Sequence, residues 1–318
     1  MIKFGYKLSS EEHSPRDLVR WAQHAEESGF SFAAISDHFH PWTDAQGHSP
    51  FVWSVIGAIS QATTELEIVT GVTCPTIRVH PAIVAQAAAT SAMLLPNRFV
   101  LGLGSGENLN EHILGDRWPE PSVRLEMLKE AIEVIRALWN GERTSHHGPH
   151  YTVEGARLYD VPETPPPIAI AGSGAKSIRM AGQLGDAFIG LAPDRELLSQ
   201  FDAAGGSGKP RYAEVNVCWA EDEADARRTV YEKWPVAGIT GQLMAELAMP
   251  AHFEQAAQMV DENDVVERVP YGPDPDRHIQ GVRTFIDAGY DHIWIHQIGP
   301  DQDGFFDFYR DNVLPKLV

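Results

Sequence analysis

Eight short apolar runs alternate with amphipathic helical stretches along a chain of 318 residues, and polar, glycine-bearing segments collect at one end of those runs. Strands alternating with helices imply a parallel sheet covered by helices. Eight such units in one chain of this length fit a closed (β/α)8 TIM barrel better than an open sheet. No fingerprint of three spaced glycines follows the first apolar run, which weighs against an open dinucleotide-binding sheet.

The elements run in order along the chain. Residues 2–6 form the first strand. Residues 15–28 form a helix with Leu18, Trp21, Ala22 and Ala25 on one face, Ser14 at its N-cap and Gly29 at its close. Strands are expected at 32–35, 66–72 and 99–104, separated by helices at 51–63 and 82–95, the second ending before Pro96. Leu125, Leu128, Ile132, Ile135 and Leu138 recur at helical spacing through 123–139. A polar excursion occupies 140–166, with short strands expected at 151–153 and 157–159 around Gly155. The alternation then resumes. Strands are expected at 168–171, 187–190, 213–219 and 292–296, with helices at 176–184, 196–201, 221–234, 276–288 and 305–313. Residues 235–270 read as irregular or helical. No composition break divides the chain, so the expectation is one barrel domain over 1–318 with insertions near 140–166 and 235–270.

Forty-three percent of the residues are hydrophobic, and 25 basic against 44 acidic residues give a net charge of −19. That balance weighs against non-specific binding to nucleic acid or to an anionic membrane. No run of about 18 apolar residues is present to cross a bilayer. Cys74 and Cys218 lie far apart, which disfavours a disulfide framework and fits a reducing compartment. The first residues carry no secretory signal pattern. The expectation is a cytoplasmic protein acting on a small molecule.

In a (β/α)8 barrel the site lies at the C-terminal ends of the strands. The second strand ends in Ser36-Asp37-His38-Phe39-His40-Pro41-Trp42, which delivers a carboxylate, two imidazoles and an indole from a rigid scaffold. His38 is the base candidate, because its ordinary pKa lies near operating pH. Trp42 is a candidate pocket wall. Gly104-Ser105-Gly106 lets backbone approach something flat, and Glu107 beside it is a candidate general acid. Gly172, Ser173 and Gly174 precede a helix whose free amides and dipole suit a phosphate, with Lys176 adding charge. A metal is not expected. His38 and His40, two apart in an extended stretch, point to opposite sides, and His146, His147 and His150 lie in the polar excursion.

These motifs, together with Thr70-Gly71-Val72-Thr73-Cys74-Pro75-Thr76, Asn97-Arg98, Glu107-Asn108-Leu109-Asn110-Glu111 and Gly185-Asp186-Ala187-Phe188-Ile189, resemble the luciferase-like superfamily of flavin and deazaflavin barrels. Within it the chain looks most like the branch of coenzyme F420-dependent glucose-6-phosphate dehydrogenases. The resemblance implies a homodimeric barrel that binds a 5-deazaflavin at its strand ends and transfers hydride. It implies that His38 acts at the substrate hydroxyl, that Trp42 shapes the site around developing charge, and that Glu107 is an acid facing the ring. It gives cofactor contacts to Asp37, Cys74 and Asn110, a non-prolyl cis peptide at Gly71-Val72 behind the ring, and a phosphate grip to the Gly172–Gly174 loop with Lys176.

One departure bears on the substrate. Gly190-Leu191-Ala192-Pro193-Asp194-Arg195 stands where that branch carries Thr and Lys on the substrate phosphate, and no Lys occurs between Lys233 and Lys316. Arg195, Arg268 and Arg283 are the cations left to compensate. The expected activity is therefore hydride transfer between F420 and the hydroxyl carbon of an alcohol or sugar. The alternatives are an FMN-dependent monooxygenase on the same barrel and a deazaflavin-binding protein without catalysis. The alanine-rich helices across 51–95 are the expected dimer face.

Overall fold

A computed structural model describes residues 2–239 and 241–317. Its main sheet consists of β1 (Lys3–Leu8), β2 (Phe32–Ile35), β3 (Glu67–Thr70), β4 (Phe99–Leu103), β7 (Ile168–Ala171), β8 (Ala187–Gly190), β9 (Arg211–Val217) and β10 (His292–Gln297). These eight parallel strands close in the order β1-β10-β9-β8-β7-β4-β3-β2. This is the (β/α)8 barrel the alternation predicts.

Each helix starts where its sequence allows. The hydroxyl of Ser14 accepts from the backbone N–H of Asp17 and Pro15 fills the first turn of α1 (Pro15–Glu27), whose Leu18, Trp21, Ala22 and Ala25 are buried. The helices α2 (Val52–Ala62), α3 (Pro81–Leu94) and α5 (Pro121–Trp139) continue the outer ring. Small Ala85, Ala88 and Ala89 of α3 are fully buried. Further round lie α6 (Ala175–Leu184), α7 (Arg195–Phe201), α8 (Glu223–Lys233), α12 (Pro275–Ala288) and α13 (Gln302–Phe308). Helix α12 is capped by Asp274 and stops at Gly289, which takes φ +118.

The barrel interior is filled by Phe32, Val69, Val100, Ile189, Tyr212 and Trp294 among others. Phe32 meets Tyr212 edge-on at 5.5 Å between ring centroids. Gly5 on β1 is required by that packing, since a Cβ there would overlap the Phe32 ring.

Two regions differ from the sequence reading. In the excursion the hairpin pairs β5 (Thr144–His147) with β6 (Thr152–Ala156), and Gly155 lies inside β6 at φ +55 instead of at the turn. The reason is Glu130 of α5, which accepts from His146 Nε2 at 3.0 Å and from the backbone N–H groups of His150 and Tyr151. That anchor draws the histidines into the hairpin, and residues 157–159 form no strand. After β4 and the loop 104–107 the chain enters α4 (Asn108–Glu111), a helix the sequence did not announce. The 235–270 segment carries α9 (Leu243–Glu246), α10 (Pro250–Ala257) and α11 (Glu262–Val266). Its Val236, Ile239, Phe253, Val265 and Val269 join an apolar cluster with Leu109, Cys218, Ala226, Val230, Trp234 and Ile298, and Trp42 packs against it. The segment is thus a strap anchored on the barrel by a shared apolar cluster.

Candidate active site

A cavity of about 590 Å3 opens at the C-terminal ends of the strands. His38, Trp42 and Glu107 all line it. Gly71, Val72, Ile189 and Trp294 contribute backbone and apolar wall, and Gly104–Gly106 and Gly172–Ser173 contribute glycine-bearing backbone. Trp234, Val236, Ile239 and Met244 bring the strap over it. The Gly71–Val72 peptide is cis.

His38 is set by its neighbours. Its Nδ1 lies 3.3 Å from Glu11 Oε1 and 3.2 Å from the carbonyl of His40. Nδ1 therefore donates, and Nε2 has no protein partner among the described residues. The ring packs edge-on against Trp42 at 4.9 Å, and Trp42 in turn meets the fully buried Phe253 of the strap at 5.2 Å. Glu11 accepts from the hydroxyls of Ser36 at 2.6 Å and Ser9 at 3.1 Å. Burial alone would raise its carboxyl. The charges of His38 and Lys7 and the Ser36 hydroxyl overcome burial and hold it at about 2. Lys7 and Glu214, 3.3 Å apart, form a second ionic pair in the cavity wall. Burial opposes both charges, yet each keeps the other ionised: Lys7 lies above its ordinary value and Glu214 below it.

Glu107 begins α4 without capping it by its side chain, and its carboxylate has no hydrogen-bond or ion-pair partner among the described residues. It is left facing the cavity. Gly106 takes φ +85, and a Cβ there would overlap Cys74 Sγ, so the loop can take this path only with glycine.

Several residues expected at a cofactor lie one layer back. The carboxylate of Asp37 accepts from Arg78 Nη2 and Thr73 Oγ1, both at 2.8 Å. Asn110 Oδ1 accepts from the backbone N–H groups of Phe39 and His40, while its Nδ2 is buried without a partner. The Cys74 thiol bonds Thr76 beneath Gly106, and burial pushes it well above the ordinary range. None of the three lines the cavity; they brace the loops that do. Gly174 and Lys176 stand exposed beyond its edge, where Ser177 replaces them as a lining residue.

Of the three arginines, Arg195 donates to the carbonyl of Asp287 and Arg283 to that of Lys316, and neither lines this cavity or the larger one beside it. Arg268 lines a second cavity of about 990 Å3, which shares Leu191, Glu214, Asn216 and Ala237 with the first. There Arg227 is paired with Glu262 and Arg277 with Glu223, whereas among the described residues the Arg268 side chain bonds only the carbonyl of Ala237. Among the described residues no cluster of three or more His, Cys, Asp or Glu is arranged to hold a metal ion.

The sequence reading missed Lys7, Glu11, Glu214, Asn216, Trp234 and Trp294. For Lys7, Glu214, Asn216 and Trp294, which lie in strands, the signal was the two-residue period. Tyr212, Glu214 and Asn216 alternate with Ala213, Val215 and Val217 along β9, so a polar lane faces one side of an otherwise apolar strand.

The whole chain has close counterparts. A protein of Beutenbergia cavernae named F420-dependent glucose-6-phosphate dehydrogenase is 34% identical over 329 residues, covering 100% of this chain and 98% of the relative. One of Nakamurella multipartita with the same name is 36% identical, covering 99% and 96%. An F420-dependent secondary alcohol dehydrogenase, solved with an F420-acetone adduct, superposes with a TM-score of 0.93 at 28% identity, covering 100% and 99%. The family model described as luciferase-like monooxygenase matches residues 1–292. With that match and those relatives, the chain belongs to the luciferase-like family, in its F420-dependent glucose-6-phosphate dehydrogenase-like branch.

Proposed function

We propose that the chain is a coenzyme F420-dependent dehydrogenase that moves hydride between the hydroxyl carbon of an alcohol or sugar and the deazaflavin. The observation that carries this reading is the convergence of His38, Trp42 and Glu107 on one cavity with a flat wall at Gly71–Val72. Relatives named for this activity, and an F420-dependent alcohol dehydrogenase of the same fold, support it.

The residues fit such a cofactor. The apolar wall of Val72, Ile189 and Trp294 and the glycine-bearing backbone beside Val72 suit a flat ring system, and the volume lies in the range of ligand sites. Gly172, Ser173 and Ser177 at the start of α6 suit a phosphate. When bound, F420 supplies a two-electron hydride acceptor that does not activate oxygen.

The chain's own groups divide the remaining work. His38 Nε2, free of protein partners, takes the proton of the substrate hydroxyl, and Glu11 on Nδ1 holds the ring and stabilises the imidazolium that results. Trp42 holds that ring from the side and offers an aromatic face to its charge. Glu107, free of partners, holds or donates a proton at the cofactor. The strap excludes water from above.

Arg268 is the substrate contact we retain from the three arginines. The second cavity then takes the non-reacting part of the substrate, with at most one anionic group reaching Arg268. A plain or singly charged secondary alcohol suits this better than a phosphate dianion, because the other two arginines that line it are already paired. We read the chain as one barrel with two excursions, acting in the cytoplasm. Its two buried free cysteines support a reducing compartment. It acts as a homodimer. Exposed Phe51, Ile83, Met93 and Leu94 on the α2–α3 face support that association.

The test is anaerobic absorbance of oxidised F420 with the protein across secondary alcohols, sugars and sugar phosphates. Bleaching with alcohols and not with glucose 6-phosphate is expected. Absence of bleaching, together with FMN binding and oxygen uptake, would overturn the reading in favour of a monooxygenase.

A further inference from the structure

The proposed reaction assigns no step to the Lys7–Glu214 pair, although both side chains line the cavity and are nearly buried, 8% and 14% exposed. A buried ion pair is weak ground for stability, because an apolar pair of similar volume often does as well. An apolar side chain at position 7 could not, however, donate a hydrogen bond. Lys7 Nζ donates to the carbonyl of Gly71 at 3.3 Å.

The contact spans strands that are not neighbours. Lys7 is on β1 and Gly71 comes directly after β3, with β2 between them. The β2 residue in register with Lys7 is Ala34, whose small side chain lets the lysine pass over it. A Cβ built on Gly71 would lie 3.5 Å from Ala34 Cβ and 3.8 Å from Lys7 Nζ, so the two approach Gly71 from the same side. Glu214 of β9 holds the ammonium in place. Its Oε2, 3.3 Å from Nζ, also accepts from the indole N–H of Trp294 on β10 at 2.8 Å. Lys7, Glu214 and Trp294 thus tie three strands to the first residue of the loop after β3.

We propose that Lys7 is a positioning residue: held by Glu214, its ammonium fixes the Gly71 carbonyl and with it the Gly71–Val72 wall against which the cofactor ring lies. The identity of the ring rests on the function proposed above, whereas the tie itself does not.

Three variants separate positioning from simple charge balance. Lys7→Met leaves Glu214 buried without its cation, so it lowers Tm as well as cofactor affinity. Lys7→Met/Glu214→Gln removes that uncompensated charge while its amide oxygen still accepts from Trp294. Glu214→Gln alone keeps the lysine. Each is measured for Tm, for F420 affinity by fluorescence titration, and for the 13C resonance of the Gly71 carbonyl in the protein without cofactor.

The expected result is that the double variant recovers most of the Tm lost in Lys7→Met, yet binds F420 at least about tenfold more weakly than the parent. The Gly71 carbonyl resonance moves in both variants that lack the lysine and less in Glu214→Gln. A double variant with parental F420 affinity and an unmoved carbonyl would overturn the proposal and leave Lys7 as the counter-charge of Glu214. Should the parent protein itself fail to bind F420, the function fails and the carbonyl resonance alone decides the tie.

Discussion

Replacing Glu11 by Gln tests the proton-transfer pair with the least change of shape. Glu11 is 2% exposed, and its two oxygens face His38 Nδ1, Ser36 and Ser9. Its carboxyl is held at about 2 against an ordinary 4.5, even though burial pulls the other way. A carboxyl depressed in the folded state contributes stability that is present above the unfolded value and lost as pH falls through the folded one. The window is therefore from 4.5 down to about 2, and the difference corresponds to about 3 kcal/mol. Denaturant unfolding at pH 7, 4.5 and 3 reads it. The parent weakens across that window and Glu11→Gln weakens less, having lost most of the contribution already at pH 7. Activity responds separately. Without the carboxylate, the imidazolium formed at His38 has no counter-charge on Nδ1, so kcat falls by about ten- to a hundredfold. KM for the alcohol barely changes, because Glu11 is bonded to His38 and the serines. A variant with parental kcat would refute His38 as the proton acceptor held by Glu11. A variant whose stability falls as steeply as the parent's between pH 4.5 and 3 would refute the electrostatic account of Glu11.

Three further outcomes are expected. Arg268→Ala raises KM for alcohols carrying a carboxylate by about tenfold and leaves neutral alcohols alone, while Arg195→Ala and Arg283→Ala change neither; steady-state kinetics over paired substrates read this. Phe253→Leu loosens the packing under Trp42, so proteolysis of the 235–270 strap accelerates and KM rises while the barrel's unfolding transition stays. His278 is buried between the carbonyl of Gly272 and the hydroxyl of Tyr309, and burial pushes it down to about 4. An imidazole depressed in the folded state binds its proton later than in the unfolded chain, so stability falls as pH drops from 6.5 to about 4, and His278→Gln flattens that limb of the unfolding profile.

The barrel was legible because its strands are parallel and covered on the outside. Runs such as Phe32-Ala33-Ala34-Ile35 and Ile168-Ala169-Ile170-Ala171 are apolar throughout, and turn residues or helical periods flank each one. The loops were legible where one residue type carries the geometry. Gly106, His38 and Trp42 line the cavity because strand ends put them there. The hairpin at 144–156 was misread because its register is fixed by Glu130, a residue of the preceding helix that no local pattern singles out.

The charged part of the site escaped for a different reason, and that reason reaches beyond the missed residues. Strand ends point to the residues of the loops, whereas Lys7, Glu214 and Trp294 lie inside strands. Their side chains reach the cavity because alternate residues of a barrel strand face inward. The two groups of residues differ in how freely they can change. Residues beyond the strands, such as His38 and Glu107, sit on loops that can vary without disturbing the barrel. Residues within the strands cannot vary freely, because a one-residue change of register would turn the inward lane outward. Glu11 stands between the two groups. It lies three residues beyond β1, bonds the loop residue His38 and feels the charge of the strand residue Lys7. Substrate preference should therefore track the loops and the strap, where Arg268 and Leu191 lie, while the counter-charge for proton transfer stays with Glu11, held ionised in part by the strand residue Lys7.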